Sequence, residues 1–331
     1  MNFLITGCFG FIGFNFLQDL LKQMGNTSKV YGIDSLENLC SINNKNIAEK
    51  FSNFIFYKAD INNIDDLGIK DIDVIVNFAA ESHVDNSIYN PAAFIDANIR
   101  GTTKLLNYAM KNNIEKFVHI STDEVYGSKQ KGYCYEDDIF KPSSPYSASK
   151  ASAELIINSY ERTYGYKVSV VRPANNYGIF QQPEKLIPFS IAKLETNENI
   201  EIYGDGLNVR HWLHVSDTCS AIMKVMNEGK QGEVYNIGYD YYLPNIEVAK
   251  KLLNILKLDN TRMAYVEDRP GHDFRYAVNI DKLKHLGWIP KSNFDEELEK
   301  IVAWYIENKN WWLSQYEEIV SSKRNKRMGL V

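Results

Sequence analysis

The sequence predicts an α/β fold built on a doubly wound parallel sheet. Short apolar runs recur along the first half of the chain, and each ends in small or polar residues before a helical pattern begins. This pattern is typical of parallel strands whose two faces are both covered by the helices that connect them. The spacing of roughly thirty residues is that of right-handed βαβ units. The 331 residues are 44% apolar, so the chain can bury a sizeable core.

The first unit contains a glycine-rich turn. An apolar strand is predicted over residues 2–6 and an amphipathic helix runs to about Gln23, and the turn between them holds Gly7, Gly10 and Gly13. Glycines at this spacing allow a tight turn, let backbone N–H groups approach a pyrophosphate and allow close packing of helix on sheet. The residues expected to contact a dinucleotide here are Gly7, Phe11, Ile12 and Gly13.

The second predicted strand, 29–33, ends in Asp34. An acidic residue about 20 positions after the glycines hydrogen-bonds the ribose hydroxyls of NAD and repels the 2′-phosphate of NADP. Strand, glycines, helix, strand and acid together predict NAD as the cofactor.

The third and fourth strands, 55–58 and 73–78, also end in small or polar residues. We expect the first of these ends to meet the adenine and the second to let the cofactor lie close to the backbone. The candidate residues are Asp60, Ile61, Ala79 and Ala80. A histidine in such a turn is more often structural than catalytic, so His83 is left out of the chemistry.

The strand 117–120 is followed by a hydroxyl and two adjacent carboxylates, those of Thr122, Asp123 and Glu124. Ligands of an open α/β sheet bind beyond the carboxyl ends of its strands, so these side chains are expected in a crevice. A solvated turn or a helix cap is the alternative interpretation of the same residues.

A further helix is predicted from Pro145 to about Tyr164. It places Tyr146 and Lys150 one turn apart on the same face. The tyrosine pKa is ordinarily about 10, so Tyr146 needs nearby positive charge to act as a base, and Lys150 and an oxidised nicotinamide would both supply it.

The glycine turn, Asp34, Asp60, the Ser/Thr strand end and Tyr146-x-x-x-Lys150 resemble the extended short-chain dehydrogenase/reductases. Finer motifs resemble the nucleotide-sugar 4,6-dehydratases, with the dTDP-glucose pattern the nearest, from residue 1 to about 310. Those motifs are 78–85, 122–124, 175–178, 183–188 and 203–210.

The resemblance implies two lobes. Residues 1–177 plus about 230–257 would form the dinucleotide-binding (Rossmann) domain, with a strand near 233–238 returning to the main sheet. Residues 178–229 plus about 258–331, with a helix near 295–308, would form a smaller mixed α/β lobe that binds the nucleotide sugar.

The resemblance also implies a substrate site, in which Lys185, Arg210 and Arg269 are candidates for the diphosphate because cations clamp phosphate oxygens. Surface ion pairing is the alternative for any one of them. The full set of substrate-site candidates is Ser82, Asn86, Asn175, Lys185, Leu186, Arg210, Asn245, Arg269 and His272.

The implied reaction leaves NAD regenerated and bound. Tyr146 takes the proton of the sugar 4-hydroxyl as hydride leaves C4, with Thr122 and Lys150 assisting, and a 4-keto sugar forms. Glu124 then removes the C5 proton, Asp123 protonates the departing 6-hydroxyl, and hydride returns to C6. Asp123 and Glu124 distinguish this dehydration from nucleotide-sugar 4-epimerisation, which remains an alternative, as does a catalytically silent NAD-binding scaffold.

Three positions depart from the dTDP-glucose pattern and leave the sugar and base open. Asn86 stands where an arginine is usual, residues 35–39 lack the usual loop, and Pro173-Ala174 replace a Cys-Ser pair. Small residues and an amide leave room for a bulkier substituent than the 2-hydroxyl of glucose. UDP-N-acetylglucosamine is therefore a rival to dTDP-glucose, UDP-glucose is a third candidate, and inversion at C5 is an open possibility.

Composition narrows the partners and the compartment. A net charge of −5 and a pI near 5.8 argue against nucleic acid as a partner. The four cysteines fit neither a zinc site nor a disulfide framework, and no apolar run approaches the ~18 residues of a membrane span. We expect a cytoplasmic homodimer without a metal, and a frayed, solvated basic tail at 323–327.

Overall fold

The structure is a computed structural model and describes residues 1–268 and 271–327. Its centre is a seven-stranded parallel sheet with the order β10-β6-β5-β4-β1-β2-β3. Two small sheets, of order β11-β9-β7 and β12-β8, lie beside it. The strands are β1 Phe3–Thr6, β2 Val30–Asp34, β3 Phe54–Lys58, β4 Val74–Asn77, β5 Lys116–Ile120, β6 Ser169–Pro173, β7 Asn175–Tyr177, β8 Ile200–Tyr203, β9 Val209–His214, β10 Val234–Ile237, β11 Tyr242–Pro244 and β12 Met263–Val266.

Helices cover both faces of the main sheet and fill the second lobe. They are α1 Phe11–Met24, α2 Leu39–Ala48, α3 Val84–Tyr89, α4 Pro91–Phe94, α5 Thr102–Lys111, α6 Pro145–Tyr164, α7 Leu186–Glu195, α8 Val215–Glu228, α9 Asn245–Ile255, α10 Asp281–His285, α11 Phe294–Glu307 and α12 Lys309–Arg327. A π-helix, Ile95–Gly101, joins α4 to α5. Short 3₁₀ helices occupy Gly25–Thr27, Ile61–Leu67, Asp123–Tyr126 and Asn260–Arg262.

The sheet is doubly wound, as predicted. From β1 in the interior the chain adds β2 and β3 on one side, then crosses to β4 and continues outward through β5 and β6 to β10. The order of the strands therefore reverses between β1 and β4, where Thr6 lies beside Asn77 and donates a hydrogen bond of 2.6 Å to its side chain. A crevice forms at such a switch point, beyond the carboxyl ends of the strands.

The regular elements of the first half lie close to the predicted ones. The π-helix separates α4 from α5, and a Cβ added at its Gly101 would lie 2.4 Å from Ile61 Cδ1. Helix α2 was not predicted; it begins at Asn38, whose side chain accepts a hydrogen bond from the Ser41 N–H. The predicted frayed tail is helical in α12 as far as Arg327.

The structure divides the two lobes differently from the predicted boundaries in two helices. Helix α8, expected in the smaller lobe, packs on α1, β5 and β6, because Ile222 and Val225 belong to the main core. Helix α9, expected in the dinucleotide domain, packs on α7 and α11 through Val248 and Leu252.

The second lobe has an aromatic core of its own. Its buried aromatic side chains include Trp312, Tyr305, Tyr177 and Phe294, in a cluster to which α7, α9, α11 and α12 contribute. No helix within 1–268 and 271–327 is long and apolar enough to span a membrane.

Candidate active site

A cavity of about 620 Å³ opens at the carboxyl ends of β1, β2, β4 and β5. Every residue predicted for catalysis or for the cofactor lines this cavity, so residues far apart in the sequence lie around the same space. The predicted substrate residues that also line it are Ser82, Asn86, Asn175 and Lys185.

The glycine turn leaves no room for side chains. Gly7 has a φ of +63°, and a Cβ added there would lie 2.6 Å from the backbone nitrogen of Ala79. A Cβ at Gly13 would lie 2.2 Å from the carbonyl oxygen of Gly7. The glycine turn therefore lies close to the residues after β4, with no side chain between them. Such a turn lets a pyrophosphate approach the backbone N–H groups at the start of α1.

Asp34 is fixed at the end of β2 by two backbone donors. Its Oδ2 accepts from the Phe9 N–H and its Oδ1 from the Leu36 N–H, each at 2.9 Å. Burial raises the pKa of Asp34, and these two N–H groups act in the opposite direction. Asp34 lines the cavity, and ribose hydroxyls are suitable donors to its carboxylate.

The catalytic candidates after β5 form the start of a 3₁₀ helix. Thr122 is its N-cap and accepts a hydrogen bond of 3.2 Å from the Glu124 N–H. The helix-cap interpretation of this segment therefore holds for Thr122. The cap also turns the two following carboxylates into the cavity, so the structural and chemical interpretations are compatible.

Asp123 is buried next to half-buried Glu124. Among the described residues Asp123 Oδ2 has no hydrogen-bond partner. Burial raises the pKa of Asp123 well above its usual range, the Glu124 carboxylate raises it further, and the Arg210 guanidinium acts in the opposite direction. An uncharged, proton-bearing carboxyl group fits these surroundings.

Tyr146 and Lys150 lie in the first turns of α6, which begins at Ser144 with a capping box and Pro145. Burial raises the pKa of Tyr146, the Glu124 carboxylate adds to the rise, and a hydrogen bond with Thr122 opposes it. Lys150 Nζ donates to the Ile120 carbonyl at 2.6 Å, and burial lowers the pKa of this amine to about 8. The protein side chains alone therefore favour the neutral phenol.

A buried ion pair next to residues 121–126 was not predicted. Glu154 and Arg172 are 1% and 3% exposed and are joined by a bond of 2.6 Å from Arg172 Nη2 to Glu154 Oε2. Ser121 donates to the same carboxylate, and the guanidinium lies 4.8 Å from the Tyr126 ring centre. The sequence signal was present, because an arginine in the apolar run of β6 must find a buried partner.

The remaining substrate candidates are distributed around the cavity. Lys185 Nζ donates to the Ser82 carbonyl at 3.0 Å. The guanidinium of buried Arg210 lies 4.7 Å from the centre of the Tyr276 ring, and its charge lowers the pKa of Asp123. Exposed Asn86 is at the cavity rim.

Besides Arg210, three substrate candidates among the described residues do not line this cavity. Leu186 begins α7 and packs on the second core, Asn245 begins α9, and His272 Nδ1 lies 2.6 Å from Asp268 Oδ1. Arg269 lies outside the described residues. His83 caps α3 by accepting from the Asn86 N–H at 3.3 Å, which is the structural role expected of it.

Comparisons with known proteins identify the family. The model of the GDP-mannose 4,6 dehydratase family matches residues 4–301. The low-salt glycan biosynthesis protein Agl12 of Haloferax volcanii is 43% identical, over 92% of this chain and 99% of the relative. A dTDP-glucose 4,6-dehydratase from Streptomyces venezuelae, solved with NAD bound, is 39% identical with a TM-score of 0.90, over 94% of this chain and 99% of that chain.

A UDP-glucose 4-epimerase from Thermotoga maritima has the same fold at lower identity. It is 30% identical with a TM-score of 0.84, over 93% of this chain and 99% of that chain. The family resemblance stated from the motifs is confirmed by the family model and by these relatives. The chain belongs to the GDP-mannose 4,6 dehydratase family, within the nucleotide-sugar 4,6-dehydratases of the extended short-chain dehydrogenase/reductases.

Proposed function

We propose that the protein is an NAD-dependent nucleoside-diphosphate-hexose 4,6-dehydratase that acts on dTDP-glucose and yields a 4-keto-6-deoxy sugar. The observation that carries the proposal is Asp123. It is a buried carboxyl group with an unpartnered oxygen among the described residues, and it lies beside Glu124 and Tyr146 in one cavity. An epimerase has no step that uses such an acid.

The cofactor residues fit NAD. Gly7, Gly13 and the start of α1 would hold the pyrophosphate, Asp34 the ribose and Asp60 the adenine. When bound, NAD accepts hydride from C4 of the hexose and returns it to C6, so no net oxidation results. We expect NAD to remain bound through purification, and turnover should need no stoichiometric addition of NAD.

Tyr146 is the base for the 4-hydroxyl. Its pKa is raised by burial, so the phenolate forms only when positive charge lies close to it. Lys150 is mostly protonated at neutral pH with a pKa of about 8. Thr122 hydrogen-bonds the Tyr146 side chain and holds it for the proton transfer.

Elimination of water follows from the carboxyl pair. A 4-keto group acidifies C5–H, and half-buried Glu124 is the base that removes this proton. Burial and the Glu124 carboxylate raise the pKa of Asp123, which favours its proton-bearing form. Asp123 donates that proton to the departing 6-hydroxyl, and the two carboxyl groups act as acid and base because their surroundings differ.

A specific observation favours UDP-N-acetylglucosamine as a second candidate substrate. Asn86 and Ala174 both line the cavity, and the amide of Asn86 offers donors and an acceptor to an acetamido group. The dTDP-glucose proposal is supported instead by the 39% identity to the Streptomyces venezuelae enzyme.

One assay decides between these substrates. Purified protein is incubated separately with dTDP-glucose, UDP-glucose and UDP-N-acetylglucosamine. Loss of water is followed by mass spectrometry and the C5 configuration by NMR. Dehydration of dTDP-glucose supports the proposal. A preference for UDP-N-acetylglucosamine would make that sugar the substrate. Dehydration of none of the three would refute the proposed dehydratase activity.

We also propose that the protein is a homodimer and that it is located in the cytoplasm. Ile95 and Leu155 are 56% and 58% exposed on neighbouring elements of one face of the main sheet, and a second copy would bury them. The four cysteines are free and buried, which fits a reducing compartment. Sedimentation of wild type and Leu155→Arg tests the dimer, since the charge should yield monomers.

A further inference from the structure

The C-terminal helix α12 lies beyond residue 301, where the match to the family model ends. Its first turn contains Trp311, which is 9% exposed. The indole Nε1 donates to Asn44 Oδ1 at 2.9 Å, and the Trp311 carbonyl accepts from Asn43 Nδ2 at 3.0 Å. These two bonds fasten α12 to α2.

From α2 the connection continues into the glycine turn. Asn44 Nδ2 donates to the Phe9 carbonyl at 3.0 Å, and Ser41 Oγ donates to the same carbonyl at 3.3 Å. The Phe9 N–H in turn donates to Asp34 Oδ2 at 2.9 Å. Both polar groups of the Phe9 residue, between Gly7 and Gly10, are therefore held by side chains.

A second contact braces the helix that follows the turn. The Phe180 ring lies 4.9 Å from the Phe14 ring of α1 and 4.9 Å and 5.8 Å from the rings of Trp304 and Trp311. The edge-to-face geometry of these contacts is favourable, so Phe180 links the rings of Trp304 and Trp311 to α1.

The next two turns of α12 form part of the cavity wall. The lining residues are Gln315, Glu318, Ile319 and Ser322. Their spacing of three, four and seven residues puts them on one face of the helix. Ser35, Glu37 and Asn38 of the loop after β2 line the same cavity, so α12 adds a wall to the cofactor side of the cleft.

We propose that α12 is part of the cofactor site: Trp311 and Asn44 position the Phe9 backbone and Asp34, and the helix face from Gln315 to Ser322 restricts release of the cofactor. The inference rests on the proposed binding of NAD. Trp311 and Asn44 are positioning residues, because they act through Phe9. Asn44 is suited to this task because its carboxamide accepts from one partner and donates to the other.

Adjacent tryptophans provide a matched pair of variants. Trp312 is 0% exposed in the second core, and its Nε1 donates to the Tyr305 carbonyl at 2.8 Å. Trp311→Phe and Trp312→Phe each remove one indole hydrogen bond and similar ring volume. Only Trp311→Phe breaks the connection to the glycine turn.

The readout is NAD binding, independent of turnover. NAD per protomer is measured in denatured extracts after gel filtration, and the Kd of NAD-stripped protein by titration calorimetry. We expect Trp311→Phe to raise the Kd about tenfold, the upper range for one hydrogen bond, and Trp312→Phe to leave it unchanged although both lower the melting temperature.

Asn44→Asp tests the same connection without altering the aromatic core. The carboxylate still accepts from Trp311 Nε1 but has no donor for the Phe9 carbonyl, so the Kd for NAD should rise. An unchanged Kd in Trp311→Phe and Asn44→Asp, or an equal rise in both tryptophan variants, overturns the inference. Wild-type protein that binds no NAD refutes the proposed function itself.

Discussion

Half-buried Asp34 and buried Asp123 lie in the same cleft, but their surroundings favour opposite charge states. Burial raises the pKa of both Asp34 and Asp123. At Asp34 two backbone N–H groups favour the charged form, whereas at Asp123 the Glu124 carboxylate disfavours it. The first suits an acceptor for ribose hydroxyls and the second a proton donor.

Tyr146→Phe removes the hydroxyl of the proposed base for the first step and leaves the packing of the ring. We expect NADH formation in a single turnover to slow by roughly 10²–10⁴-fold, the usual contribution of a positioned acid or base. The rate of NADH formation is measured from the absorbance of NADH after rapid mixing of the enzyme with dTDP-glucose. A near-normal rate would remove Tyr146 as the base.

Glu124→Gln should separate oxidation from elimination. The amide cannot remove the C5 proton, while Tyr146, Thr122 and Lys150 are unchanged, so NADH should form without loss of water. The measurement is solvent-deuterium incorporation at C5, followed by NMR. Rapid incorporation by this variant would assign the C5 proton to another base.

At the scale of secondary structure, the Glu154–Arg172 pair connects the elements around residues 121–126. It connects α6 and β6, Ser121 attaches the end of β5, and Tyr126 extends the network to Asn236 of β10 with a bond of 2.8 Å. The elements that carry Thr122 and Tyr146 are thus fixed relative to each other by one buried charge pair.

Glu154→Gln should destabilise the fold strongly, since it leaves the Arg172 charge without its counterion. Removing one member of a buried pair costs about 3–5 kcal/mol, measurable as a shift of the urea midpoint. Glu228→Gln is the control, because its pair with Lys224 is exposed and contributes at most about 0.5 kcal/mol. Equal shifts in the two variants would show that burial of the Glu154 pair has no consequence.

At the scale of the whole molecule, three carboxylates from distant parts of the chain line the same cleft. Glu81 follows β4, Glu37 follows β2 and Glu184 precedes α7, with Lys185 beside them. Burial, and then the charge of Glu37, raise the pKa of Glu81 from its ordinary 4.5 to about 7. The cleft therefore takes up a proton that the unfolded chain releases.

This proton makes stability depend on pH in a predictable direction. Between pH 4.5 and about 7 the folded chain holds more protons at Glu81 than the unfolded chain, so the free energy of unfolding decreases as pH rises through that window. Urea titrations of wild type and Glu81→Gln measure it. The variant should lose this part of the slope, and identical profiles would contradict the assignment.

The sequence alone determined the parts of the site that depend on local spacing. The glycine turn, Asp34, the Thr122–Glu124 segment and the Tyr146–Lys150 pair each lie within one strand end or one helical turn, so local spacing is enough to predict them. Alternation of strands and helices likewise determined the parallel sheet, because such strands must be covered on both faces.

Tertiary structure alone decided which distant residues complete the site. Arg172 meets Glu154, Trp311 meets Asn44 and Glu37 meets Glu81 because strand order and core packing bring their elements together. Helices α8 and α9 joined the opposite lobes from those expected for the same reason. Hydrophobic burial is non-directional, so a helix pattern shows which face is covered and leaves its partner to the packing of the whole chain.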